Sequence, residues 1–399
     1  MNMKRTFYYL LLLAAFLCPA SRLAAQNTLP VTAPRVAVFA PLFLDSCFDA
    51  KGAYKYGKLI PKFAIPGMEY YFGATMAVDS LKKEGQQLHI KYFDSRSMGT
   101  PVQRIIQSGA LDSMDMLIGS VAATDARLLA DYAKLKNIPF ISGTLPNDAG
   151  ITNNPNVVIL NSTLKTHCEN IYHYLQKNQA DRKIVLLTRP GRLEERITGY
   201  FKEFEKTTSG AMLGITTVNL GSSFVSDSLP NFIDTSVFAT YIVGTTDAGF
   251  AIAVAKGLTD AGQQSNSVLV GMPTWDDISE FSKPAYKELN IYYPVPMVSP
   301  PTHKAATAAA AKFKAKFGSI PGENMYRGYE NIYHFCRLLL KYGKDTPANF
   351  TDKNFMIFSS YSLQPVMTTT SPMTLDYFEN KKTWIINKFN GVNRTIAFP

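Results

Sequence analysis

The chain has 399 residues, of which 46% are hydrophobic, 12% aromatic and 18% charged. This composition excludes a disordered chain, a collagen-like repeat and a coiled coil, and the length suffices for two or three domains. Of the formal charge of +10, Lys4, Arg5 and Arg22 belong to a leader-like segment; without them +7 remains, spread along the chain with no basic run. Nucleic-acid surfaces concentrate Lys and Arg locally, so no nucleic-acid partner is expected.

The N-terminus reads as an export signal. Lys4 and Arg5 precede the apolar run from Tyr8 to Cys18, and the small residues Ala24 and Ala25 stand before Gln26. The run is too short for a comfortable membrane span. Cleavage after Ala25 is favoured over lipidation of Cys18, because Leu17 stands where a lipobox needs a small residue and Pro19 follows. The mature chain would keep Cys47, Cys168 and Cys336, which allow one disulfide or none.

One rhythm then repeats. Arg35 to Pro41 is an apolar strand of the kind buried on both faces of a parallel sheet. A helix follows from Met68 with Gly85 as its stop, then a strand from Leu88 to Asp94 and a helix over Pro101 to Ser108. The strand from Met116 to Gly119, a helix around Leu128 to Leu135 and a strand from Pro139 to Ser142 complete the first unit. The second unit has strands at Lys183 to Thr188, Leu213 to Val218, Phe238 to Val243 and Val268 to Val270, with helices at Leu193 to Phe204 and Phe250 to Leu258. Strands alternating with helices imply right-handed crossovers and parallel sheets.

Polar Asn161-Ser162-Thr163 and the proline-rich stretch from Tyr293 to Pro301 read as passages between the units. Helices at Ala305 to Phe317 and Tyr326 to Tyr342 follow, then a strand-rich end from Met356 to Phe398 in which Trp384-Ile385-Ile386 is the firmest strand. The fold class predicted is α/β, with two doubly wound parallel-sheet (Rossmann-like) lobes joined by multiple hinge crossings. Residues 1–25 form the signal, 26–160 with 297–345 the first lobe, and 161–296 with 346–399 the second.

The chain holds no G-x-G-x-x-G after a strand, no G-x-x-x-x-G-K-[ST] and no G-x-S-x-G. His167 and His173, six residues apart on a helix, are rotated by about 240° and cannot share a metal unaided. The carboxylates of Glu194 and Glu195, and of Asp276 and Asp277, are adjacent and point apart. The chain is therefore expected to be no enzyme, with no cofactor and no metal.

The ordered segments RVAVFAPLF, EYYFGATMAVDSLKKEG (Glu69 to Gly85), LHIKYFD, MLIGS (Met116 to Ser120) and IPFISGT (Ile138 to Thr144) resemble the type I periplasmic-binding-protein fold of amino-acid ABC-transporter binders. In the second half Tyr241 to Asp247, Val270-Gly271, Trp275, Phe317-Gly318, Pro321 and Arg327-Gly328-Tyr329-Glu330 agree with the same pattern. The long loop from Asp45 to Pro66 is similar to an envelope subgroup sometimes linked to LysM modules, though no such module is present.

The resemblance implies a periplasmic solute-binding protein with a ligand in the cleft between lobes, at the C-terminal strand ends where helix N-termini offer free N–H groups. Matching positions are Ser120, Ala122, Ala123 and Thr124, then Ser142, Gly143 and Thr144, and on the second lobe Thr245, Asp247 and Trp275. Hydroxyls and amides there suit a carboxylate, and Asp247 an ammonium group. The other readings are structural: helix cap for Thr124, turn residue for Asp247, core aromatic for Trp275. The implied partners are a small molecule, amino-acid-like or peptidoglycan-derived, and a membrane permease or cell-wall protein. A non-catalytic envelope regulator or sensor that binds another protein is the alternative. Mass spectrometry of the exported protein is expected to find Gln26 at its start; a diacylated Cys18 would overturn that cleavage site.

Overall fold

The computed structural model describes residues 33–298, 303–357, 360–368 and 372–397. The export signal, its cleavage after Ala25 and Cys18 lie outside the described residues. The apolar run Arg35–Ala40 forms β1, and Val36 to Ala40 are buried. Successive side chains in a strand point to opposite faces. Val36 and Val38 therefore join one apolar layer with Ile118, while Ala37 and Phe39 join another with Leu117 and Leu129.

In chain order the first half gives α1 (Ile65–Lys83), β2 (His89–Asp94), α2 (Val102–Gln107), β3 (Met116–Gly119), α3 (Ala123–Lys136), β4 (Phe140–Ser142) and β5 (Val157–Ile159). The second half gives α4 (Leu164–Asn178), β6 (Lys183–Thr188), α5 (Arg192–Thr207), β7 (Thr216–Asn219), β8 (Ala239–Val243), α6 (Ala248–Asp260), β9 (Ser267–Val270) and β10 (Asn290–Val295). Then follow α7 (Lys304–Phe317), α8 (Glu323–Tyr342), β11 (Leu363–Met367), β12 (Leu375–Asn380), β13 (Trp384–Phe389) and β14 (Val392–Ala397). Two seven-stranded sheets result, ordered β11-β12-β5-β4-β3-β1-β2 and β14-β13-β10-β9-β8-β6-β7. The fold is α/β with two lobes, each built on a mostly parallel sheet.

Two expectations need correction. The stretch from Tyr293 was expected to be irregular, yet Tyr293, Pro294 and Val295 finish β10 and pair antiparallel with Ile386, Ile385 and Trp384. Pro294 deprives that ladder of one donor near the strand end, where the loss is small. Residues 346–399 were all assigned to the second lobe. Instead β12 pairs parallel with β5 and β11 pairs with β12, so 363–380 complete the first sheet, and only β13 and β14 extend the second. The chain thus passes between the sheets three times, at 160–163, beyond Val295 and at 381–383. Smaller shifts affect element ends: β7 begins at Thr216 rather than Leu213.

Sequence motifs find structural causes here. The Asp94 carboxylate, closing β2, accepts the backbone N–H groups of Leu42, Phe43 and Leu44 at 3.0, 3.1 and 2.7 Å, and so anchors the turn after β1. Cys47, Cys168 and Cys336 are free and buried, with no disulfide among the described residues.

Helices α1 and α8 cover one face of the first sheet, packing Tyr70, Ala74 and Leu81 with Ile332, Phe335 and Leu339. They touch backbone to backbone at two glycines. A Cβ on Gly73 would stand 1.9 Å from Met325 O, and one on Gly328 would stand 2.1 Å from Tyr70 O. Overpacking of this kind costs about 1–3 kcal/mol. Gly73→Ala and Gly328→Ala should each lower the urea midpoint accordingly. Gly199→Ala in α5, where nothing lies within 4 Å, should raise stability by about 0.5–1 kcal/mol. Equal effects at all three positions would refute the close-contact account.

Candidate functional site

The strand ends bring the expected first-lobe residues together. Ser120, after β3, and Thr144, after β4, share a hydrogen bond between their hydroxyls at 2.6 Å. A Cβ on the neighbouring Gly143 would lie 2.6 Å from Asn331 Nδ2 and 2.8 Å from Tyr70 Oη, so those side chains would have to shift. Ser142 is buried, Ala122 is half-buried, and Ala123 and Thr124 are exposed. The residue preceding α3 is Ala122, which offers no side-chain cap, so Thr124 is not the cap.

The second-lobe residues are bound to their own scaffold. Thr245 is buried and donates to Glu194 Oε1 at 2.7 Å, where Arg189 Nε also lies at 3.3 Å. Asp247 caps α6 by accepting from Phe250 N at 2.7 Å, and its other oxygen lies 3.4 Å from Arg189 Nη2. The Phe250 N–H first, then Arg189 against partial desolvation, hold the Asp247 carboxyl below its ordinary range. Trp275 is 1% exposed and packs on Phe281 with ring centres 5.0 Å apart, which makes it a core aromatic.

None of these ten residues lines the cleft between the lobes, a cavity of about 770 Å³. From the first lobe the cleft takes Asp148 after β4, Glu323 and Arg327 of α8, and Tyr377 and Glu379 of β12. Facing them are Lys165 and His167 of α4, Arg196 and Tyr200 of α5, and Thr246, Thr274, Asp276 and Asp277 from the loops after β8 and β9. Asn161 to Thr163 and Lys381 come from two of the crossings. Sequence reading missed these side chains. In the sequence Asn161-Ser162-Thr163 shows only as a passage, and Asp276 and Asp277 only as adjacent carboxylates that point apart.

The crossings meet at Glu379. This carboxylate, 1% exposed, accepts Thr163 N at 2.8 Å and the Thr166 hydroxyl at 2.7 Å through Oε1, and pairs with Lys381 Nζ at 2.7 Å through Oε2. Burial pushes its carboxyl up, but Lys381 and these donors outweigh burial and hold it below the ordinary value. Thr163 also caps α4, and Ser162 Oγ donates to Asn380 O at 2.7 Å, so the first and third crossings are tied side by side. In the outer cleft the Asp276 carboxyl is pushed up by desolvation and by the charges of Glu323 and Asp277, although Tyr293 Oη donates to it at 3.1 Å. Asp276 and Glu323 belong to opposite lobes, so two like charges face one another across the opening.

A sequence model described as periplasmic binding protein matches residues 62–354. The chain belongs to the periplasmic binding protein family. No curated protein matches it significantly. Among solved structures it is similar to a Rhodospirillum rubrum protein described as a branched-chain amino acid ABC transporter, with 13% identity over 91% of this chain and 100% of that one and a TM-score of 0.66. A branched-chain amino acid ABC-transporter periplasmic ligand-binding protein from Burkholderia xenovorans gives 13% identity, 91% and 94% coverage and a TM-score of 0.62. A Desulfitobacterium hafniense ABC-transporter substrate-binding protein in complex with Leu gives 12%, 91% and 100%, and 0.59. At these identities the likeness concerns the fold.

His167 is 2% exposed in the cleft wall, and burial lowers its pKa from 6.5 to about 3. In α8 burial lowers His334 from 6.5 to about 4. Both are neutral when folded, whereas the unfolded chain takes up these protons as pH falls below 6.5, so stability is lost from there downward. Each histidine contributes about 2 kcal/mol of that loss between pH 7 and pH 5. The Glu379 contribution is lost only below its ordinary value of 4.5. Urea titrations should therefore show the midpoint falling from pH 7 to pH 5, and His167→Gln should remove about half of the fall. An unchanged pH slope in that variant would rule out a buried neutral His167.

Proposed function

We propose that this solute-binding protein is exported with its signal removed, works without catalysis, and closes its lobes on a small polar ligand carrying both charge signs. The ligand class is an amino acid, a short peptide or a peptidoglycan-derived fragment. The observation that carries this reading is the cleft itself, about 770 Å³ in volume and lined from both lobes by Lys165, Arg196 and Arg327 on one side of the charge balance and Asp148, Asp276 and Glu323 on the other. Cavities of roughly 300–1,000 Å³ take small molecules, and this one exceeds the needs of a single amino acid, which favours the larger members of the class.

An ammonium group between Asp276 and Glu323 would relieve the repulsion between them and so favour closure, because a ligand shifts a conformational equilibrium by its differential affinity. Ser120, Thr144 and Asp247 then support the site rather than touch the ligand. Thr144 accepts from Asn161 Nδ2 at 2.6 Å through its carbonyl, which steadies the first crossing. A membrane permease is the partner this reading favours, in keeping with the transporter proteins of similar fold.

A thermal-shift screen of amino acids, short peptides, peptidoglycan fragments and neutral sugars tests the reading. A ligand of the folded state at one hundred times its Kd stabilises by about 2.7 kcal/mol, which raises Tm by a few degrees. Asp276→Asn with Glu323→Gln should weaken a cationic hit at least tenfold, and small-angle scattering should register compaction on binding. A screen without a single hit would favour a protein-binding regulator instead.

A further inference from the structure

The N-terminal end of α8 is tied down without a side-chain cap: Gly322 N donates to Glu69 Oε1 of α1 at 2.7 Å. One turn on, Arg327 is only 4% exposed, yet it borders the cleft. A guanidinium has five N–H donors, and buried polar groups are almost always satisfied. Among the described residues Arg327 donates no hydrogen bond. Its sole ionic neighbour is Glu323, half-exposed and four residues back, whose Oε1 lies 3.3 Å from Nε but out of line for a hydrogen bond.

Among the described residues seven side-chain atoms are buried without a partner, and three of them gather at this cleft. His167 Nδ1 and Asn161 Oδ1 are also buried without a partner, and both residues line the same cleft. His167 comes from the second lobe, Arg327 from the first and Asn161 from the crossing between them. Glu379, equally buried in the same wall, has every near donor it needs. A buried charge left half-paired is costly, so a fold that keeps one beside a cavity has reserved it for something that enters the cavity.

We infer that Arg327 is the receptor for an anionic group of the ligand, a carboxylate or phosphate held two-pronged by the guanidinium, with Asn161 Oδ1 and His167 Nδ1 meeting polar hydrogens and lone pairs beside that group. The planar fork of donors matches two oxygens on one carbon or phosphorus, which a neutral sugar, amide or amine does not present. The ligand is therefore an acid, and its acidic end lies against α8 and the first crossing rather than at Ser120 and Thr144. This inference rests on the solute-binding reading and narrows it.

The test uses the full mature chain in thermal-shift and calorimetric titrations. The probes are the amino acids, alanyl-alanine and inorganic phosphate, set against alanyl-alanine amide, amino-acid amides and the neutral sugars of the screen above. An acid should bind at least tenfold more tightly than its matched amide, with the best probe distinguishing carboxylate from phosphate. Arg327→Met should weaken that acid at least a hundredfold while the ligand-free protein melts at the same or a higher temperature. Arg327→Lys, which keeps the charge but not the fork, should fall between. Acids and amides of equal affinity, or an Arg327→Met protein that binds as before, overturn the inference. An Arg327→Met protein that melts far lower overturns it as well, because the residue is then structural. Hits confined to neutral solutes overturn it and leave the solute-binding reading standing; no hit of any kind removes the reading too.

Discussion

The first lobe depends on a backbone-to-backbone contact between two helices. At Gly73 and Gly328 the axes of α1 and α8 come closer than any side chain allows, and everything on that face of the first sheet is placed by the approach. Tyr70, one turn before Gly73, reaches Asn331 of α8, and Asn331 in turn accepts from Tyr361 at 2.8 Å. The same tyrosine and asparagine fill the space over Gly143, so the loop after β4 is shaped by the helix pair beneath it. Because α8 is held this firmly, its first turn delivers Glu323 and Arg327 to the cleft in a set direction. A wider crossing would withdraw both.

That rigidity explains a division of labour at the strand ends. Ser120 with Thr144, Thr245 with Glu194, and Asp247 with Phe250 N and Arg189 satisfy one another. They form a finished floor. Of the side chains that line the cleft, those with unused hydrogen-bonding capacity stand one layer further out, on α8, α4 and the first crossing. A polar group already satisfied gains little from a ligand, whereas one left short gains the whole of its missing interaction.

Much of the architecture was readable from periodicity. The apolar runs of β1, β3 and β6 are buried on both faces and have no competing interpretation. The glycines of EYYFG and RGYE, and the aspartate closing β2, were visible as motifs, and their causes are the helix contact and the anchored turn. What escaped notice was non-local. Strands β11 and β12 look no different in sequence from β13 and β14, and only pairing with β5 or β10 tells which sheet each joins. The cleft was hidden for the same reason, since Asn161, Arg327 and Glu379 are far apart in the chain and meet only through the crossings. One signal was present: Arg327, Glu330, Asn331 and His334 are polar residues on a helix buried nearly all round, a pattern that water-facing helices do not need.

The interleaved ending has a consequence for the order in which the protein can form. Strands 363–380 finish the first sheet beside β5, and strands 384–397 finish the second beside β10. Neither lobe can close its sheet until the final segment is available, and β12 must find β5 across more than half of the chain. Contacts of such separation are slow to form. During synthesis the nascent chain therefore carries two open sheet edges and reaches its stable state late, with both lobes completed almost together. A protein arranged in this way stays pliable for as long as it is being made.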